Sequence, residues 1–416
     1  MKNDQPYRAD GAVGRFEFDV YSAINRQEII YDSAKEAFDP LKPNQFYLTS
    51  GFKELAMILG DTELSFRRTA KMINHVRYQV ENGTPFRTLH EATNKEGAAL
   101  FEHLKEKAQE INQGNFSTNG ECINPTISTG RNPVILPMED ITDVLETTET
   151  NYSSIEMLNN PVLLEDPKMA VNISIDDVTP KRQKDTHETP KVTQHDRKYV
   201  HDTVAHIESE GEKYVLNGDC TKTVLWFINA LLLSNSLFGK RLQIFTDGHK
   251  ALNAAISKFY QWYTNIQIIL DWYHLVKKCK EQLSMAMKGR EIRNATLEKL
   301  MPLLWHGLTE KAIAYLEEID KSEIKNNKRM VLLIGYLKHN KPYIPNYELR
   351  KRLGLRNSSN VGEKMNDILV SNRQKDKGMS WSKEGSLTLA TVTALKVNNE
   401  YRKWFQEKQL DFKLAA

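Results

Sequence analysis

The sequence predicts an α/β protein: a mixed sheet, a long helical stretch inserted late in the chain, and a separate helical region ahead of the sheet. Three observations predict it. AVNISIDD (170–177) alternates Val171, Ile173 and Ile175 with Asn172, Ser174 and Asp176, the period of a half-buried strand. The stretch from Arg241 to His274 reads strand–helix–strand. LQIFTDG ends on Asp247, IQIILDWYH carries Asp271 with His274 shortly after it, and HKALNAAISKFYQWY lies between. Residues 275–350 then keep helical spacing, with breaks expected near Gly289 and Pro302.

Bulk properties narrow the class. The 416 residues exceed one small core, so two or three domains are expected. A hydrophobic content of 40% with 27% charged residues fits a soluble globular protein. The net charge of +3 does not by itself announce a nucleic-acid binder, so local clustering has to carry that reading. Cys122, Cys220 and Cys279 have no C-x-x-C spacing, which argues against a zinc ribbon or a disulfide scaffold and fits a reducing, cytoplasmic setting. No secretory signal is visible at the N-terminus. VLWFINALLL (224–233) is about half the ~20 residues a membrane span needs.

Taken in order, residues 1–48 are mixed and polar, with one helix-like apolar patch around Val20 to Tyr31. Residues 49–111 turn helical. Phe52, Leu55, Ala56 and Leu59 form a core-facing stripe, and Asp61 and Thr62 offer a cap before ELSFRRTAKMINHV. A break at Asn82-Gly83-Thr84-Pro85 precedes FRTLHEATNKEGAALFEHLKEKAQEI. Arg67, Arg68, Lys71 and Arg87 flank it, which suggests a helix-turn-helix-like DNA-binding domain; a helical bundle with a solvated basic face is the plainer alternative. Residues 112–168 read as an acidic flexible linker, without Lys or Arg from Pro133 to Pro167.

The sheet region follows at 169–274. After the strand that carries Asp176 and Asp177, residues 178–198 read as a basic loop, in which Lys181, Arg182, Lys184 and Arg197 suit phosphate contacts. KYVHDTVAHIES and EKYVLNG form a hairpin turning at Glu210-Gly211, and TKTVLWFINALLLSNS is a helix. The helical insertion spans 275–355. In the final part, 356–416, NSSNVGEKMNDILVSNRQ restarts a helix with Ser358, Ser359 or Asn360 as cap and Glu363 in its first turns. SWSKEGSLTLATVTALKVNNEYRKWFQ is the last helix.

Three acids stand out: Asp176, Asp247 and Glu363. Three strands, a helix, strand–helix–strand and a late acid-bearing helix are the layout of ribonuclease H-like nucleases. The expected fold is therefore a ribonuclease H-like mixed sheet with an all-α insertion. In such a fold three acids hold two divalent cations for phosphodiester chemistry, and hard oxygen ligands suit Mg²⁺. Spacing alone leaves Asp177 competing with Asp176, and Asp271 competing with Asp247. Asp271 also suits the cap of the helix beginning near His274. Glu348 and Asp367 are the fallbacks for Glu363.

A resemblance sharpens these expectations. ISIDDVTPKRQK, RKYVHDTVAHIE, IFTDGHKAL, IILDWYHLVKKC, LGLRNSSNVGEKMNDILVSNRQK and GMSWSKEGS together resemble bacterial insertion-sequence transposases of the DDE type, in the branch related to Mutator-like elements. It covers roughly 50–111 and 169–405. Asp247-Gly248 with Ala251-Leu252 matches the family's second aspartate motif, and Asp271 with His274 its [C/D]-x-x-H signature. The resemblance implies Asp176, Asp247 and Glu363 as catalytic and metal-binding residues, with Asp177, Asp271 and His274 as alternates. It implies two Mg²⁺ (or Mn²⁺) ions per active site.

The expected partners are double-stranded DNA, as terminal inverted repeats and as target, and a second copy of the chain on that DNA; no membrane partner is expected. Arg350, Lys351, Arg352, Arg356, Lys364, Arg373, Lys375 and Lys377 cluster around Glu363 and suit phosphate contacts. The implied activity is metal-dependent DNA cleavage and strand transfer. The alternatives are a nuclease of the same fold without strand transfer, and a non-catalytic DNA-binding protein from a decayed element.

Overall fold

The computed structural model describes residues 7–18, 22–25, 28–32, 47–60, 64–79, 83–130, 170–183, 198–352, 354–375 and 379–415. The cap expected at Asp61 and Thr62, most of the acidic linker, Lys184, Arg197 and Lys377 lie outside these residues. The chain divides into two compact units. One comprises Met1–Leu104, Thr179–Val200 and Ile368–Asp411; the other comprises Lys105–Val178, His201–Asp367 and Phe412–Ala416.

The first unit opens with strands. β1 (Tyr7–Gly11) pairs antiparallel with β2 (Gly14–Phe18), and β3 (Ser22–Asn25) pairs antiparallel with β4 (Glu28–Asp32). The patch from Val20 to Tyr31, expected to be helix-like, is therefore largely extended. Its β-branched and aromatic residues, Ile24, Ile29, Ile30 and Tyr31, favour strand over helix. A short β5 (Tyr47–Leu48) runs parallel to β1.

Helices α1 (Ser50–Gly60), α2 (Phe66–Val76) and α3 (Phe86–Asn112) follow. Phe52 N–H donates to Thr49 Oγ1 at 3.2 Å at the start of α1, and Arg68 N–H donates to Ser65 Oγ at 3.4 Å at the start of α2. Phe52, Ala56, Ala70, Ile73 and Leu89 make a small core. Asp10 is buried beneath them. Burial disfavours its charge, but hydrogen bonds from Arg15, Arg77 and Thr84 outweigh that and hold its carboxyl below the usual range.

The second unit holds the predicted sheet. β6 (Ala170–Val178), β7 (Asp202–Ser209), β8 (Glu212–Gly218), β9 (Arg241–Thr246) and β10 (Ile266–Leu270) lie in the order β10-β9-β6-β7-β8. β6, β7 and β8 are antiparallel neighbours, whereas β9 runs parallel to β6 and β10 parallel to β9. The β7–β8 turn uses Glu210 (φ 55°) and Gly211 (φ 87°), two left-handed residues as a tight hairpin requires. Helices α4 (Thr221–Ser234) and α5 (Lys250–Phe259) connect the strands as predicted.

The insertion is helical as predicted: α6 (Trp272–Ala286), α7 (Arg290–Trp305), α8 (Thr309–Glu317), α9 (Asn327–Asn340) and α10 (Tyr347–Arg352). Pro302 does not break α7 but sits in its last turns; the chain turns instead at Gly307, which has a positive φ. The insertion shares one apolar core with the sheet edge, where Phe245, Ile269 and Leu270 join Leu275, Leu283, Leu300, Leu333 and Tyr347.

Residues 113–130, read as linker, are folded. Phe116 is buried against Phe238 and Trp262, and Thr264 N–H donates to Thr129 O at 2.8 Å. After the insertion comes α11 (Asn360–Asn366), and then a π-helix at Asp367–Lys375. The last helix of the sequence reading is two, α12 (Lys383–Val397) and α13 (Tyr401–Glu407), both in the first unit. Left-handed Asn399 separates them.

Candidate active site

The site forms on one face of the sheet. Side chains alternate along a strand, so Asn172, Ser174 and Asp176 share a face of β6. Register places Val204, His206 and Glu208 of β7 beside them, and Gln243 and Phe245 of β9 on the other side. Asp247 follows β9, and Asp271 follows β10. α11 lies over this face. Gly362 permits the approach, since a Cβ there would fall 2.5 Å from Ser174 Cβ.

Asp176, Asp247, His274 and Glu363 line one narrow cleft, together with Ser174, His206 and Asn366. Asp176 accepts from Asn366 Nδ2 at 2.7 Å and from Asp177 N–H at 2.9 Å. Burial pushes the Asp176 carboxyl up to about 6, and the negative charge of Asp247 pushes the same way. Asp247 takes His249 N–H at 2.8 Å, which fixes the turn after β9. Glu363 Oε1 accepts from His274 Nε2 at 2.8 Å. Burial raises the Glu363 carboxyl, with Asp271 adding to the effect and His274 and Lys277 opposing it. His206, in the cleft floor, is held near 4 by burial and is neutral at pH 7.

The alternates stand elsewhere. Asp177 is exposed, does not line the cleft, and accepts from Thr203 Oγ1 at 2.5 Å. Asp271 is fully buried and caps α6, accepting Tyr273 N–H at 2.7 Å and His274 N–H at 3.3 Å. Glu348 is bonded to Trp305 and Arg352, and Asp367 is exposed outside the cleft.

The basic residues divide by burial. Arg67, Arg68, Lys71, Arg87, Lys181, Lys351, Lys364 and Lys375 are exposed, and Arg182 is half-buried. Arg352 pairs with Glu348 and Arg356 with Glu208. Two expectations need correction. Arg350 is fully buried and donates to Gln243, Gln267, Asn357 and Arg356 O, so it cannot reach a phosphate. Burial and the neighbouring Arg241 lower its guanidinium to about 9. Arg373 is also buried, stacked over Phe66 and Trp381. A charge cluster in sequence does not say which members face inward.

The sequence reading missed Asn366 and Lys277. A helical-wheel argument could have found Asn366, three residues after Glu363 and on the same face. Lys277 lies one turn beyond Tyr273, with its ammonium 6.0 Å from that ring.

The donor set suits a hard divalent cation in part. Asp176 and Asp247 line the same cleft and repel one another, a repulsion that a cation would relieve. Among the described residues no three His, Cys, Asp or Glu side chains stand together as a ready metal cage, and Glu363 is engaged by His274. No helix among the described residues is long and apolar enough to cross a membrane.

No protein-family profile and no curated protein matches the sequence. Among solved structures, the chain is similar to the Drosophila P element transposase strand transfer complex, at 12% identity and a TM-score of 0.26, over 92% of this chain and 87% of that one.

Proposed function

We propose that this chain is a DDE-type transposase of the bacterial insertion-sequence kind, in the Mutator-like branch, with a ribonuclease H-like core. One observation carries the reading: Asp176, Asp247 and Glu363, from three distant parts of the chain, line a single cleft. The strand order supports it, with three antiparallel strands followed in the chain by two parallel ones, Asp176 near the end of the first and Asp247 just after the fourth. So does the resemblance of the motifs around each acid.

In this reading Asp176 and Asp247 would hold Mg²⁺ or Mn²⁺, and Glu363 would complete the ligand set for two ions. When bound, such ions would supply a nucleophile at neutral pH and stabilise charge on the leaving oxygen. The chain's own residues set the geometry. Asn366 orients Asp176, and His274 holds Glu363. Lys277 brings positive charge near Glu363, where a phosphate backbone would pass. Helices α1–α3 form the helix-turn-helix-like domain that reads the terminal repeats, through the exposed Arg67, Arg68, Lys71 and Arg87. Two ends must be joined, so two copies act together on DNA.

The test is cleavage and strand transfer of DNA carrying the element's ends, with Mg²⁺, by the full chain and by Asp247→Asn and Glu363→Gln. Loss of both reactions in both variants is expected. Unchanged cleavage in the variants removes the site assignment. Cleavage without strand transfer favours a nuclease, and binding without cleavage by the unaltered chain favours a non-catalytic DNA-binding protein.

A further inference from the structure

The carboxylate of Asp271 divides its work between two helices. Oδ1 accepts Tyr273 N–H and His274 N–H, the first turn of α6. Oδ2 accepts from the backbone N–H of Ser359 and from Ser359 Oγ at 2.6 Å, with Ser358 Oγ 3.2 Å away. Ser359 immediately precedes α11. One oxygen therefore serves the helix that carries His274, and the other serves the helix that carries Glu363. The two side chains meet at 2.8 Å.

Neighbouring bonds hold the same junction. Trp272 N–H donates to Asn357 O at 3.3 Å, and Tyr347 OH donates to Leu270 O at 2.7 Å. Arg350 Nε donates to Asn357 Oδ1 at 3.2 Å. These fix the approach to α11 but do not touch both helix starts. Asp271 alone, among the described residues, bonds to both.

We propose that Asp271 is a positioning residue: its two oxygens set the register of α11 against α6, and so place the His274–Glu363 pair beside Asp176 and Asp247. This rests on the transposase reading for its catalytic consequence, though not for its structural one. Asp271 takes no part in the reaction, because it is fully buried and its oxygens are occupied by protein donors.

Asparagine makes a discriminating substitution. An amide keeps one acceptor oxygen and replaces the other with a donor. Asparagine is also a good helix cap, so Asp271→Asn can keep α6 capped while setting an NH₂ against Ser359 N–H. On the α11 side the backbone bond from Ser359 N–H is then lost, and Ser359 Oγ can only accept from the amide where it donated to the carboxylate. Ser359→Ala removes one bond from that side and retains the backbone one.

The experiment uses the full chain with ring-labelled histidine. The His274 imidazole resonance, assigned by its loss in His274→Gln, reports the bond to Glu363 without any reaction. Asp271→Asn is expected to shift that resonance to the position it takes in Glu363→Gln, with Ser359→Ala between. On end-containing DNA with Mg²⁺, Asp271→Asn is expected to lower kcat about 100-fold, the scale of a misplaced reacting group, with KM for DNA little changed. A wild-type His274 resonance together with a wild-type kcat in Asp271→Asn would overturn the proposal. If the unaltered chain does not cleave DNA, the transposase reading fails, and the resonance alone decides the positioning role. If Asp271→Asn does not fold, Ser359→Ala gives the same two readouts, and a wild-type result in both counts against the proposal.

Discussion

Asn366 donates its side-chain amide to Asp176 Oδ2 at 2.7 Å, three residues after Glu363 on the same short helix. α11 thus contributes one acid to the cleft and holds another in place. The position of Asp176 against Glu363 is set by helix geometry as much as by the sheet.

Asp176 makes the cleft costly to fold at neutral pH. Its carboxyl titrates at about 6, whereas an unfolded aspartate titrates near ~3.9. The folded state binds the extra proton, so the contribution is fully present below the unfolded value and is lost as pH rises through the folded one. In EDTA, Asp176→Asn is expected to be more stable than the unaltered chain above about pH 6, by on the order of 1–2 kcal/mol, with the gap closing towards ~pH 4. Urea unfolding across that range checks it; a gap that does not change with pH contradicts it.

Gly362 sets how closely α11 approaches β6. Gly362→Ala is expected to cost about 1–3 kcal/mol, because the added methyl meets Ser174 Cβ. Ser174→Gly should recover much of that loss in the double variant, since it removes the atom struck. A thermodynamic cycle of the four proteins measures the coupling, and additive losses would show that the contact does not limit the approach.

Arg350 is structural. Arg350→Met strands acceptors on Gln243, Asn357 and Arg356, while Gln267 keeps its bond from Arg241, and is expected to cost about 2–4 kcal/mol. The salt dependence of DNA binding should be unchanged at temperatures where the variant is folded. A slope reduced by a full phosphate contact would restore the surface role read from its sequence neighbours.

The exposed face of α2 should behave oppositely. Arg68→Ala and Lys71→Ala are expected to move stability by no more than about 0.5 kcal/mol. Each should lower the slope of log affinity against log salt by about one if it meets a phosphate. Filter binding at several salt concentrations measures this, and unchanged slopes in both remove α2 from the interface.

Much of the sheet was legible because alternation along β6 and the Glu210-Gly211 turn are local properties. The candidate acids were legible as strand-end and helix-start residues. Spacing alone did not rank them. Asp247 and Asp271 both follow apolar strands, and half of what occupies the Asp271 carboxylate, Ser359, comes from far along the chain. Residues 113–130 looked like linker because polar residues outnumber apolar ones there, yet Phe116 meets a partner in Trp262 that no local window contains. The strands near the N-terminus were misread because a short apolar patch fits helix and strand equally well until its β-branched residues are weighed.

The bonds from Asp271 to Ser359 close a loop of chain 88 residues apart in sequence. The two ends of the helical insertion therefore meet at one junction beside the end of β10. Closing a loop costs entropy that grows only slowly with its length, so a junction pinned in this way tolerates very different lengths of chain hung from it. The insertion has the character of an exchangeable cassette: a spliced segment of another size, given an apolar surface to cover Phe245, Ile269 and Leu270, could be carried by the same pin without moving the acids.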